Sequence, residues 1–103
     1  MIPEQRLWNA MILNALIDAC PIYQNETNPT NTYRNRLRQN DCQAARRWFE
    51  GGSGLTIVCD LAGRNPEYVS EKALDLFSKF DAMSEAEQVR FRENIEEQLR
   101  WTN

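Results

Sequence analysis

Residues 55–74 read LTIVCDLAGRNPEYVSEKAL, and this stretch decides the predicted fold. Small and apolar residues at helical spacing fill its first half, and Gly63 ends that half with a residue that accepts a positive φ. Asn65 can cap a second helix that has Pro66 at its first position. We therefore predict a helix-turn-helix-like segment over residues 55–80. The inner face of this segment is predicted to comprise Val58, Cys59, Ala62 and Val69.

The second helix of this segment carries an acidic line. Glu67, Glu71 and Asp75 recur every four residues, so they share one side of the helix. Phosphates repel carboxylates, which opposes entry of this side into the major groove of DNA. The line is either a solvated face of a structural helix or a surface that meets a basic protein partner. Tyr68 and Lys72 flank the line and are the residues of this helix that we expect to approach DNA.

The other helices follow from spacing and capping signals. Apolar spacing predicts a first helix over residues 3–19 and a short helix over residues 41–49. The glycines of residues 51–54 predict a flexible connector, and a capping box opens a last helix over residues 84–101. No strand pattern of sufficient length occurs. The predicted fold class is all-α, a single domain of 103 residues built as a compact bundle of about five helices.

Residues 22–40 differ in composition from the rest of the chain. Five Asn, three Thr and one Pro crowd this segment. Such residues favour turns, so we predict a long Asn- and Arg-rich loop with one helical turn near residues 33–37. A loop of this length in a small domain commonly carries function.

Five of the twelve basic residues lie between positions 34 and 47, where only Asp41 opposes them. Arginine guanidinium groups bind phosphate oxygens and stack on bases, so we expect this segment to bind nucleic acid. A second interpretation needs no ligand: the arginines would pack on the acidic C-terminal helix, which carries five Glu over residues 85–97. Both interpretations remain open at this point. The five basic residues are Arg34, Arg36, Arg38, Arg46 and Arg47.

Composition excludes several classes of function. Hydrophobic residues make up 42% and charged residues 26%, as in an ordinary globular domain. The net charge of −3 excludes a uniformly basic nucleic-acid binder, although it leaves room for a local basic patch. The chain has no histidine, so it cannot contain a histidine-based catalytic triad. Residues 51–54 lack the Lys that a nucleotide-phosphate loop requires, and we predict that the protein is not an enzyme.

The three cysteines, Cys20, Cys42 and Cys59, do not predict a cofactor. Their odd number and wide spacing differ from a disulfide framework, and a zinc site would need all three plus a carboxylate. We expect no metal and no cofactor. The apolar run over residues 10–13 is too short for a membrane span, and residues 1–4 lack the basic start of a signal peptide. The expected location is therefore the cytoplasm.

The first helix is more apolar than one core face requires. Leu13 and Ile17 extend its apolar surface around the side, and only Asn9, Asn14 and Asp18 relieve it. This excess predicts either a central position in the core or a homodimer contact along the helix.

Three stretches together resemble small uncharacterised proteins of tailed phages and prophages. They are LWNA with ILNALID in the first helix, AARRWF over residues 44–49, and VCDLAGRNPEYV over residues 58–69. The resemblance does not extend to the last helix, and it carries over no activity. It implies a phage-type gene product that acts inside a bacterial host in a regulatory or accessory role.

Two hypotheses about function follow. In the first, the helix-turn-helix-like segment docks on DNA and the arginines grip phosphates, which makes the protein a DNA-associated regulator. In the second, its acidic helix faces meet a basic surface of a host or phage protein and inhibit it. Anti-CRISPR proteins and polymerase inhibitors are examples of the second class by analogy.

Overall fold

The computed structural model describes residues 3–95 and residue 97, and this part of the chain contains five α-helices and no strand. The fold is therefore all-α, as the sequence predicts. In chain order the helices are α1 (Pro3–Ala19), α2 (Pro29–Phe49), α3 (Ser53–Ala62), α4 (Pro66–Ala82) and α5 (Glu85–Glu93).

Helix α1 takes the central position that its apolar composition predicts. It packs against both α2 and α3, and its Ile12 and Leu16 are almost fully buried. Phe49, at the end of α2, is 0% exposed and meets the ring of Phe77 of α4 at 5.5 Å between centroids. Burial of these apolar side chains is the main favourable contribution to folding. Other buried members of the core include Leu55, Val58, Val69, Phe80 and Ile95.

The turn between α3 and α4 confirms the predicted pair of helices. Gly63 has a φ of +75°, and its N–H donates to the carbonyl of Asp60 at 3.3 Å. The Arg64 N–H donates to the carbonyl of Cys59 at 2.8 Å, which completes a Schellman end of α3. The Asn65 side chain then caps α4, which begins at the next residue. The predicted inner residues Val58, Cys59, Ala62 and Val69 are all buried.

The predicted long loop over residues 22–40 is wrong from Pro29 onward. Helix α2 begins there, so the predicted short helix over residues 41–49 is only its second half. The Asn28 side chain accepts from a backbone N–H of the first turn at 2.9 Å, and Pro29 supplies the preset φ of a first helical position. These two residues start a helix that its polar composition alone does not indicate.

Asn35 secures the segment that precedes α2. Its side chain is 7% exposed; it accepts from the Gln24 N–H at 2.8 Å and donates to the Gln24 carbonyl at 2.7 Å. The same amide donates to the Glu26 carboxylate at 3.3 Å. A residue that composition assigns to a loop is therefore the buried polar link between this segment and the helix.

Two predicted boundaries also differ from the structure. The connector is shorter than the predicted residues 51–54, because α3 already begins at Ser53. The last helix opens with the predicted capping box at Ser84. It ends as an α-helix at Glu93, where the sequence predicts a continuation to about Trp101. The predicted end itself lies outside the described residues.

Candidate nucleic-acid interface

The arginine-rich segment that the sequence predicts as a loop lies on helix α2. Arg36 and Arg47 are separated by three helical turns plus about 20°, so they project from the same side of the helix. Both are exposed, and within the described residues neither takes part in an ion pair. Tyr33 precedes Arg36 by about one turn and is 62% exposed. We name the side that Tyr33, Arg36, Asn40 and Arg47 form the outer face of α2.

The alternating arginines separate from one another in a helix. Residues two positions apart differ by about 200°, so Arg34 and Arg38 lie away from Arg36. Arg34 is exposed. Arg38 is half-buried, and its Nη1 donates to the Asn35 Oδ1 at 3.4 Å. The predicted arginine cluster is therefore divided between the outer face of α2 and its flank.

Arg46 points into the fold. Its Nε donates to the carbonyl of Ala19 at 2.9 Å, and its two terminal nitrogens donate to the two carboxylate oxygens of Asp81 at 2.7 Å each. The guanidinium group also lies 5.1 Å from the centre of the Phe77 ring. The hydrogen bond from Arg46 lowers the pKa of Asp81, and that carboxylate raises the pKa of Arg46. Arg46 thus connects α1, α2 and α4 and is not part of the outer face of α2.

The three cysteines lie in the interior as free thiols. Burial raises the pKa of Cys20 to about 12, and burial also raises the pKa of Cys42 and Cys59. Buried neutral thiols are inert compared with exposed thiolates. Among the described residues, no group of three or more His, Cys, Asp or Glu side chains is placed to hold a metal ion.

Two clefts meet at Arg36. One has a volume of about 570 Å³ and includes Tyr23 in its lining, and the other has a volume of about 510 Å³ and includes Tyr33. Tyr23 is 46% exposed, and partial burial raises its pKa, so the phenol is protonated at neutral pH. The Glu26 carboxylate lines both clefts, so they are not uniformly basic. Each cleft thus combines Arg36 with one exposed tyrosine, a residue type that can stack with bases.

Tyr23 and Asn40 were not among the predicted binding residues. Tyr23 lies in the non-helical segment before α2, so no helical spacing in the sequence links it to Arg36. Asn40 is placed beside the arginines only by the register of α2, which begins at Pro29 and not at the predicted residue 41. The Asn-Pro pair at residues 28 and 29 is the signal from which the longer helix could have been predicted.

Tyr68 and Lys72 form a separate surface on α4. The Lys72 Nζ lies 5.5 Å from the centre of the Tyr68 ring, a cation–π arrangement. Helix α4 packs on the side of α2 that carries Arg46 and Phe49, away from the outer face. In the described part of the chain, no hydrogen bond or ion pair joins the two surfaces. The structure therefore does not gather the predicted binding residues into one patch.

The acidic line lies on the solvent side of α4. Glu67, Glu71 and Asp75 are all exposed, and Asp75 pairs with Lys79 at 2.9 Å. Glu67 and Glu71 line a cleft of about 650 Å³ together with Glu50. Among the described residues no basic side chain lines this cleft, so the charged side chains in its lining are all acidic.

Two ion pairs occur among the described residues, and neither joins α2 to α5. They link Arg46 to Asp81 and Lys79 to Asp75. The interpretation in which the arginines pack on the acidic C-terminal helix therefore finds no ion pair in this part of the chain.

No helix among residues 3–95 combines the length and the apolar character that a bilayer crossing requires. Comparison with protein-family models, with curated proteins and with solved structures finds no match for this chain. Function is therefore inferred from the side chains that the helices expose.

Proposed function

We propose that this protein is a non-enzymatic, DNA-associated regulatory or accessory protein of phage type that holds DNA through the outer face of α2. One observation carries the proposal: Arg36 and Arg47 are exposed on one side of a single helix, and the exposed Tyr33 lies one turn before Arg36. Neither arginine has an ion-pair partner within the described residues. Guanidinium groups in this situation are suited to bidentate contacts with phosphate oxygens.

The helix fixes the spacing of these contacts. At 1.5 Å of rise per residue, Arg36 and Arg47 are about 16 Å apart along the axis, so they reach different phosphates. Contacts of this kind attract and position DNA without reading its sequence. Tyr23 and Tyr33, which each line a cleft together with Arg36, add stacking surfaces.

The helix-turn-helix-like segment takes a smaller part in this proposal. Its second helix exposes Glu67 and Glu71, which repel phosphates on the side that would enter the major groove. Lys72 and Tyr68 contribute at the margin of that side. We therefore assign the electrostatic attraction to α2 and not to α4.

A gel-shift titration with a mixed pool of genomic DNA fragments tests DNA association. We expect retardation at low salt that weakens steeply at physiological salt, because phosphate contacts release counterions. Arg36→Ala is expected to weaken binding, and Arg6→Ala, at an exposed arginine of α1, is the control. No retardation of the wild type, even at low salt, would overturn the proposal.

A second candidate function is favoured by the acidic cleft beside α4. Glu50, Glu67 and Glu71 line it, and no basic side chain does so within the described residues. Such a cleft complements a Lys- or Arg-bearing surface, including one that otherwise holds nucleic acid. In this candidate the protein binds and inhibits a host or phage protein, for example as an anti-CRISPR protein or a polymerase inhibitor.

A charge reversal separates the second candidate from the first. Glu71→Lys is expected to remove a partner from the proteins captured in a bacterial lysate, whereas Glu93→Lys, at an exposed position of α5, retains it. An identical set of captured proteins for wild type and Glu71→Lys would contradict the second candidate.

A further inference from the structure

A groove with apolar walls lies where α1, α2 and α3 meet. Its volume is about 520 Å³, and its lining includes Met11 and Ala15 of α1, Trp48 of α2 and Ile57 of α3. Ile57 is 57% exposed and Met11 is 43% exposed. None of these residues belongs to the outer face of α2 or to the acidic line. The groove is therefore a surface of its own.

The directions of α1 and α3 extend the groove beyond this lining. Asn9 donates from its Nδ2 to the carbonyl of Ala62 at 3.2 Å, which places the start of α1 beside the end of α3. One turn beyond the lining of each helix, on the same side, lie Leu7 and Leu61, which are 61% and 45% exposed. A row of large, exposed apolar side chains on a small protein marks a binding surface.

The opposite end of the groove is acidic. Asp18 and Asp41 line it, and within the described residues no Lys or Arg does. Arg38 and Arg92 share a neighbouring cleft of about 120 Å³ with the same two carboxylates, and no ion pair joins them among the described residues. A cationic group of an occupant at this end of the groove would therefore meet two carboxylates that form no ion pair within the described residues.

Pairing of α1 with the α1 helix of a second copy does not complement that charge. The exposed side of α1 carries Glu4, Leu7, Met11 and Asp18 at helical spacing. Antiparallel packing of two α1 helices centred on Met11 sets Glu4 of one copy against Asp18 of the other, and parallel packing in register sets each carboxylate against its own equivalent. Both arrangements oppose like charges, which is unfavourable at an interface.

We propose that the groove binds an amphipathic helix of another protein. The apolar side of that helix would cover Met11, Trp48 and Ile57, and a Lys or Arg would reach Asp18 and Asp41. The distance along α1 from Leu7 to Asp18 is about 16 Å, which matches roughly three turns of bound helix. This proposal concerns a surface separate from the outer face of α2 and does not depend on DNA binding.

Two fluorescein-labelled model helices test the proposal by fluorescence anisotropy. Both carry the same leucine face, and the polar face consists of Lys in one and Glu in the other. We expect the wild type to bind the Lys helix and not the Glu helix. Ile57→Ser is expected to weaken binding about tenfold, whereas Leu74→Ser, at a 42% exposed position of α4, leaves it unchanged. The double variant Asp18→Asn/Asp41→Asn is expected to bind the Lys helix more weakly than the wild type in the same assay.

Three results would overturn the proposal. One is equal binding of the Lys helix by wild type and Ile57→Ser, with circular dichroism showing both folded. Another is equal affinity of the wild type for the Lys and Glu helices. The third is a wild type that sediments as a dimer which Ile57→Ser dissociates, because a second copy would then occupy the groove.

Discussion

Arg36 and Arg46 come from the same arginine-rich segment and take opposite roles. Arg36 is exposed and has no ion-pair partner within the described residues, whereas Arg46 donates hydrogen bonds to Ala19 and Asp81. The difference arises from the orientation of α2 about its axis, which buries Asn35, Cys42 and Phe49. The sequence therefore predicts a basic segment, but the arginine pattern alone cannot show which arginines remain available.

Replacing Asp81 with Asn is expected to reduce the dependence of the free energy of unfolding on pH in the acidic range. Arg46 lowers the pKa of Asp81 in the folded state. The pair therefore stabilises the fold fully at pH values above the ordinary Asp pKa of 3.8. This stabilisation is lost as the pH falls through the lowered pKa of the folded state. The Asp81 side chain is 55% exposed, so the loss at pH 7 should be at most about 1 kcal/mol. Urea unfolding of wild type and Asp81→Asn at pH 7 and pH 3 measures the difference in their free energies of unfolding.

The difference between these two proteins should shrink at the lower pH. Asp75→Asn is the matched control, since Asp75 forms an exposed pair within one helix and should show a smaller effect. A difference between wild type and Asp81→Asn that is the same at both pH values would contradict the role given to Arg46.

At the scale of helices, the same Asn-Pro capping pair begins both α2 and α4. Asn65 and Pro66 correctly predict the start of α4. Asn28 and Pro29 present the same pair, yet the Asn and Thr residues around them indicate a loop by composition. Helix α2 has a polar composition because only a narrow side of it is buried and the other sides face solvent. Composition averaged over a segment cannot detect so narrow an apolar side, whereas capping residues can.

Removing the cap of α2 should destabilise the protein. Asn28→Ala deletes the side-chain oxygen that accepts from the Asn31 N–H at 2.9 Å, and the expected loss is about 1 kcal/mol in the free energy of unfolding. Asn40→Ala is the control, because Asn40 is exposed within the helix and Ala has the higher helix propensity. Thermal or urea unfolding distinguishes them. An equal loss for both variants would show that Asn28 does not act as a cap.

At the scale of the whole molecule, the fold separates surfaces of different character. The outer face of α2 is basic, the solvent side of α4 is acidic, and the groove between α1, α2 and α3 is apolar with an acidic end. A net charge of −3 conceals this separation. The amphipathic helices and the α3–α4 turn could be predicted from the sequence. The surfaces could not, because they combine residues from elements whose packing no local pattern encodes.

We propose that the outer face of α2 binds DNA phosphates. The most direct test compares the salt dependence of DNA binding for wild type, Arg36→Gln/Arg47→Gln and Arg6→Gln/Arg90→Gln, all four arginines being exposed. Both double variants lose the same charge, so a general electrostatic effect is identical in the two. Fluorescence anisotropy with a duplex gives the affinity at each salt concentration. We predict that the first double variant flattens the slope of log affinity against log salt by about 0.9 for each lost phosphate contact, while the second keeps the wild-type slope. Equal slopes for the two double variants would contradict the claim.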